Sequence, residues 1–298
     1  MTTLTIFTPT YNRAHTLGRT YQSLLRQDCK DFIWLIIDDG SVDDTSELVA
    51  GWMKEENGFD IQYIYKENGG MHTAHNVAYE NIDTELNMCI DSDDCLSDGA
   101  VRKIIEKWQQ VDHEKYAGII ALDADMTTRK IIGTCLPKDK TETTLCDFYA
   151  KGGKGDKKQI YRTDVINSVP PYPVFEGEKY VGLVYKYRLI DQIKPLVILN
   201  EIVCLVDYQA DGSSGTMFKQ YLDNPKGFAF WRKTAMRYPE TRVRLMIECV
   251  HYVSSSLIAG NRNMVQESPR KLLTVLSIPF GFALTQYIRW KAKAQSEG

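Results

Sequence analysis

The chain has 298 residues, 43% hydrophobic and 25% charged, with a formal net charge of −3. These are the proportions of a globular protein with one large domain, or one domain plus an appendage. There is no basic excess to suit nucleic acid. The seven cysteines, at 29, 89, 95, 135, 146, 204 and 249, form no Cys-x-x-Cys pair, which argues against a disulfide framework or zinc site and for a reducing cytoplasm.

The N-terminus has no basic segment followed by a long apolar run, so residues 4–7 read as a first strand and not as a signal peptide. Residues 16–26 carry helical spacing through Leu17, Tyr21, Leu24 and Leu25. Residues 32–37 are nearly all apolar, as a strand covered on both faces should be. A helix is expected over 44–54, where Asp44 and Glu47 have the spacing of a capping box. Strand 61–65, helix 72–80, strand 86–90 and helix 98–109 follow. This alternation with short connections predicts a mainly parallel sheet with helices on both faces. After Tyr116 the pattern changes to short strands at 117–122 and 130–135. The basic, glycine-rich stretch 151–158 reads either as a solvated loop or as a mobile loop that meets phosphate. A helix at 180–190 and a strand at 198–206 come next, and the chain turns helical from about Phe218. The last helical part holds Leu272, Leu276, Phe280, Phe282, Tyr287 and Trp290 and closes with Arg289, Lys291 and Lys293. It reads as a helix packed on its own domain, a dimer interface or a membrane-surface helix. No run reaches the roughly 20 apolar residues of a membrane-spanning helix.

Four predicted strands end in polar, turn-forming sequence. The first ends in Thr8-Pro9-Thr10-Tyr11-Asn12-Arg13 and the second in Asp38-Asp39-Gly40-Ser41. The third is followed by Asn68-Gly69-Gly70-Met71-His72-Thr73-Ala74-His75-Asn76, and the fourth ends in Asp91-Ser92-Asp93-Asp94. In an open α/β sheet these ends line one rim, where a nucleotide would lie. Three carboxylates within four residues repel one another unless a cation neutralises them, and oxygen-only ligands suit Mg²⁺ or Mn²⁺. The plain alternative is a polar turn. Asp38 reads either as a structural residue, at a helix start or turn, or as part of the site, and His72 and His75 as exposed helix residues or as ligands.

Taken in this order, the four segments resemble the family-2 glycosyltransferases, closely over residues 3–100 and more loosely to about 215. The resemblance implies the A-type nucleotide-diphosphosugar transferase fold. It divides the chain into a catalytic domain over 1–215, with a nucleotide-sugar half to about 115 and an acceptor half over 116–215, and a C-terminal helical region over 216–298. It implies an inverting, metal-dependent transfer from a UDP-sugar to a hydroxyl of a glycan or lipid-linked saccharide, in bacterial capsule, exopolysaccharide or lipopolysaccharide synthesis at the inner face of the membrane. Asp93 would hold the metal, with Asp91 sharing it or contacting ribose and Asp94 doing either. Asp39 would accept from the uracil N–H. Thr8, Pro9, Tyr11, Arg13 and Ser92 would line the nucleotide, as would Gly69, Gly70 and Asn76. His75 stands where relatives commonly carry arginine. For the base that takes the acceptor's proton, Glu178 matches the glutamate of a Glu-Asp pair and Glu176 is second, while Lys179 replaces the usual aspartate. Asp211 and Ser213 would approach the diphosphate or metal. Two other functions fit less well. A sugar nucleotidyltransferase would need a glycine-rich basic loop after the first strand, and a non-catalytic nucleotide-sugar or glycan-binding protein is supported only by Lys179.

Overall fold

A computed structural model describes residues 2–207 and 217–296. They group into two compact units: residues 2–171 with 190–207, and residues 172–189 with 217–296. The stretch 172–189, placed by sequence with the acceptor half, thus belongs with the C-terminal helices.

In the first unit, nine strands form one sheet among the described residues. Strands β1 (Leu4–Thr10), β2 (Phe32–Asp38), β3 (Asp60–Tyr65) and β4 (Leu86–Cys89) are parallel, in the order β3-β2-β1-β4. They are linked through helices α1 (Ala14–Leu25), α2 (Thr45–Trp52) and α3 (Met71–Asn81). β1 is buried along its whole length, which explains its apolar and threonine composition. Beyond β4 the sheet becomes mixed. After β5 (Cys95–Leu96) and α4 (Ala100–Gln109) come β6 (Gly118–Asp125), β7 (Glu142–Thr143) and α5 (Leu145–Ala150), then β8 (Lys157–Arg162), α6 (Thr163–Ser168) and β9 (Leu196–Val206). β8 runs antiparallel between β4 and β6, β6 pairs parallel with β9, and β5 and β7 pair antiparallel with β9. The core lies between the sheet and α1, α2 and α4, and includes a stack in which Tyr21 lies 4.4 Å from Trp52 and 6.0 Å from Trp34.

Several local expectations change. Asp44 makes no capping bond to α2. Its neighbour Asp43 accepts instead from Thr45 N and Oγ1, at 3.2 and 2.6 Å, and from Ala14 N at 3.0 Å, so one carboxylate serves the first turns of two helices. Residues 130–135 form no strand, only a bridge between Ala124 and Ile131. The basic stretch is not all loop. Lys157 and Lys158 open β8, and Lys157 Nζ is buried among the carbonyls of Ile132, Lys154, Gly155 and Asp156 at 2.9–3.3 Å.

The second unit contains residues 172–189, α8 (Met217–Asp223), α9 (Pro225–Arg237), α10 (Arg242–Ile258), α11 (Met264–Glu267) and α12 (Lys271–Ser296). Helix α7 (Val184–Ile190) starts later than the expected residue 180. A buried pair, Arg232 to Glu248 at 2.5 Å, ties α9 to α10, and the Arg232 guanidinium lies 4.5 Å from the Trp231 ring centre. Contrary to the sequence reading, Lys271–Ala294 is long and apolar enough by length and composition to cross a membrane.

Candidate active site

The loops that follow β1, β2 and β3 are joined to one another by hydrogen bonds. Asn12, at φ 53°, donates its N–H to Ser41 Oγ at 2.9 Å and accepts from Val42 N at 2.8 Å through Oδ1. Asn and Asp are the non-glycine residues that best tolerate this left-handed backbone. Asp38 is buried, accepting from Ser41 N at 2.7 Å and from the Tyr63 hydroxyl at 2.6 Å. It is a turn residue.

Asp39 is also buried, but its partners come from the loop after β3. Lys66 Nζ lies 2.5 Å from Oδ1, Gly69 N 2.9 Å from Oδ1 and Gly70 N 2.8 Å from Oδ2. Asn68 Nδ2 donates to the Asp39 carbonyl at 2.8 Å. Gly70 has φ 92° and ψ 159°, a conformation that essentially only glycine adopts, and it lets the chain present two amides to one carboxylate before entering α3. Sequence reasoning missed Lys66, whose only signal was a lysine one residue beyond a strand. Of the other residues expected to line the nucleotide, Thr8 is buried and accepts from Trp34 Nε1 at 3.0 Å, and Pro9 is buried in β1. Tyr11 is 49% exposed, so its ring is open to a ligand. Asn76 is half-buried on α3.

His72 and His75 are not exposed helix residues, as both are buried. His75 Nδ1 lies 3.2 Å from the Tyr79 hydroxyl and Nε2 3.6 Å from Cys89 Sγ. Neither ring nitrogen of His72 has a hydrogen-bond partner among the described residues, and burial lowers its pKa to about 4. It is therefore a neutral imidazole at neutral pH.

Asp91-Ser92-Asp93-Asp94 is a hydrogen-bonded turn, closed by Asp94 N to Asp91 O at 3.0 Å. Thr20 Oγ1 on α1 anchors it through the Asp94 carbonyl at 2.7 Å. The turn separates its acids. Asp91 and Asp93 stay partly exposed while Ser92 and Asp94 are buried. Asp94 faces inward, accepting from Asp207 N at 3.2 Å and the Cys204 thiol at 3.7 Å. Burial, more than the nearby charges, pushes its carboxyl up to about 7. Asp93 is also raised, first by burial and then by the negative charge of Asp91, with Arg13 opposing.

The internal counter-charge was not legible from sequence. The ammonium of Lys158 faces the Cys89 carbonyl at 3.4 Å and lies in the electrostatic field of Cys204, Asp123, Asp94 and Asp91. Burial would push it down, but those groups together hold it well above the usual lysine range. Asp123 is buried, its Oδ1 lacks a hydrogen-bond partner among the described residues, and burial lifts its carboxyl to about 6.

Among the described residues no three His, Cys, Asp or Glu side chains converge as a protein-built metal site. Asp91 and Asp93 nonetheless fit a divalent ion of the Mg²⁺ type. They are oxygen donors on one turn, the negative charge of Asp91 disfavours that of Asp93, and such ions commonly bind through one or two carboxylates plus substrate phosphates.

In the second unit, Glu178 accepts from Lys226 N at 3.0 Å and Gly227 N at 2.8 Å, one bond to each oxygen, at the first turn of α9. Sequence reading weighed it as a base or as a solvated helix start. The structure makes it a fixed carboxylate capping a different helix. Lys179 N donates to Asn224 Oδ1 at 2.7 Å, and Glu176 is exposed. Asp211 and Ser213 lie outside the described residues.

A mixed sheet whose parallel half ends in these loops has the glycosyltransferase A-type fold. The chain belongs to glycosyl transferase family 2, whose family model matches residues 5–169, more than half of its length. It is 24% identical over 190 residues to a GalNAc(5)-diNAcBac-PP-undecaprenol beta-1,3-glucosyltransferase of Campylobacter jejuni, covering 63% of this chain and 60% of that protein. Its matches to the first curated relatives span only 15–17% of their lengths. Residues 1–349 of S. aureus TarS, solved with UDP-GlcNAc, share the fold with a TM-score of 0.58 at 14% identity, over 97% of this chain and 88% of that one. The mannosyltransferase PcManGT of Pyrobaculum calidifontis, solved with GDP-Man and Mn²⁺, gives 0.57 at 14% identity, over 98% and 84%.

Proposed function

We propose that this family-2 glycosyltransferase moves a sugar, with inversion, from a UDP-sugar to a hydroxyl of a glycan or lipid-linked saccharide, on the cytoplasmic side of a bacterial membrane, in capsule, exopolysaccharide or lipopolysaccharide synthesis. The observation that carries this reading is the partly exposed Asp91–Asp93 pair on the same rim as the Asp39–Gly69–Gly70 loop junction. The UDP-GlcNAc held by TarS supports the donor class, and the undecaprenol-linked substrate in the Campylobacter relative's name supports the acceptor class.

Asp93 with Asp91 would hold Mn²⁺ or Mg²⁺, and the ion, when bound, would offset the negative charge that grows on the departing diphosphate. Arg13 adds positive charge next to Asp93. Tyr11 stacks on the base, and buried Thr8 and Pro9 shape the strand end beneath it. Asp39 sets the Gly69-Gly70 backbone against the nucleotide and keeps lone pairs for the uracil N–H. Asn76 and Ser92 border the same rim. The acceptor hydroxyl loses its proton to Glu178, whose oxygens are already oriented by two backbone amides, or to Glu176, which is exposed.

Calorimetric titration with UDP and Mn²⁺ tests the donor half. Asp93→Asn should keep the fold and lose most metal-dependent UDP binding, because one charged ligand becomes neutral. Wild-type affinity in that variant would remove Asp93 from the metal site, and equal affinity for GDP would remove uracil recognition.

A further inference from the structure

Helix α12 is built inside out for a helix in water. Its buried face carries mostly small and hydroxyl side chains, Thr274, Ser277, Gly281 and Thr285, spaced to share one side of the helix with the buried Ile288. This face packs on α10. Thr285 Oγ1 lies 3.0 Å from Ser254 Oγ, and a Cβ added at Gly281 would come within 2.4 Å of Val253 Cγ1. The large apolar side chains point the other way. Leu272 is 72% exposed, Phe280 66% and Trp290 62%, and Leu276, Phe282 and Tyr287 are exposed with them. A surface helix in water normally turns its apolar stripe inward. Helices in an apolar medium instead pack through small residues and hydroxyls and turn their large apolar residues outward.

The charges indicate which medium. Lys271–Ser296 contains Lys271, Arg289, Lys291 and Lys293 and no acidic residue. At the C-terminal end Lys291 Nζ lies 5.1 Å from the Trp290 ring centre and 5.9 Å from that of Tyr287. Aromatic rings beside basic groups characterise segments held at the boundary between lipid headgroups and acyl chains. Because one side of α12 stays packed on α10, only its outer face is free, so the helix lies in the surface instead of crossing it. A second copy docked on this face would bring like charges together.

We infer that the outer face of α12 binds an anionic lipid bilayer in plane, with Phe280, Phe282 and Trp290 in the acyl boundary and the lysines at the headgroups. This inference does not rest on the transferase reading.

Vesicle flotation of the full chain tests it, using vesicles of phosphatidylglycerol with phosphatidylcholine and of phosphatidylcholine alone. Wild type should float with the anionic vesicles, less so in high salt, and less with phosphatidylcholine. The double variant Phe280→Ser, Trp290→Ser should lose binding by on the order of tenfold or more, since two buried aromatic contacts are removed. Both residues are exposed, so folding should persist, as an unchanged circular dichroism melt would verify. Lys291→Gln with Lys293→Gln should weaken binding to anionic vesicles only. Wild type that fails to float would overturn the inference. So would a dimer in analytical ultracentrifugation that the serine variant splits while vesicle binding is absent, which would give the face to a second copy.

Discussion

Asp39 shows what one buried carboxylate can organise. It binds two glycine amides and a lysine, joining the turn after β2 to the loop before α3. Replacing it with alanine strands three donors and frees the Gly69-Gly70 segment. A charge-assisted hydrogen bond contributes roughly 1.5–3 kcal/mol. Asp39→Ala should therefore weaken UDP by about ten- to hundredfold while Mn²⁺ affinity changes little, because the acidic turn is anchored separately through Thr20. Calorimetry with UDP and with Mn²⁺ separates the two, and an equal loss of both would put Asp39 in the metal centre.

Among the helices, Glu178 is a carboxylate fixed at the first turn of α9. Glu178→Gln keeps the shape but removes negative charge from the first turn of α9, which should lower stability by about 0.5–2 kcal/mol. If the same carboxylate is the base, turnover with a real acceptor should also fall by roughly 10²–10⁴. Glu176→Gln should leave the melting temperature unchanged. A lower melting temperature with turnover intact in Glu178→Gln would reduce Glu178 to a cap, and collapse in Glu176→Gln would move the base there. The first four strands and their polar ends were legible because buried parallel strands are continuous apolar runs and turns have distinct chemistry. β8 was not, because Lys157 and Lys158 read as solvated charge, while the groups that act on Lys158, Asp91 and Asp94 after β4, Asp123 in β6 and Cys204 in β9, are distant in sequence. The α2 cap was misplaced by one residue because Asp43 and Asp44 offer the same chemistry, and only the position of Ala14 N selects between them. Helix α12 was legible as apolar, but not the side on which it hides its small residues.

Across the first unit, charge balance below the acidic turn should set the response to pH. Asp94 and Asp123 are lifted from an ordinary 3.8 to about 7 and about 6, mainly by burial. Between the ordinary and raised values the native state holds protons that the unfolded chain has lost. These two groups therefore stabilise the fold below about pH 4, and that contribution is lost as pH rises to about 7. Asp123→Asn should flatten this slope in denaturant titrations run across that range, and an unchanged slope would assign it elsewhere. Lys158→Met removes the cation these acids share and should lower stability near neutral pH, read from the same titrations. Stability unchanged from wild type would show that the acids are balanced without it. The adjacent lysines of β8 have a further consequence. Successive side chains of a strand project to opposite faces, so a one-residue slip of β8 would pull Lys157 out of its cage of carbonyls and turn Lys158 away from the acids in one movement. Two ammonium groups with incompatible destinations thus act as a key, admitting β8 between its antiparallel neighbours in one alignment and rejecting the adjacent ones.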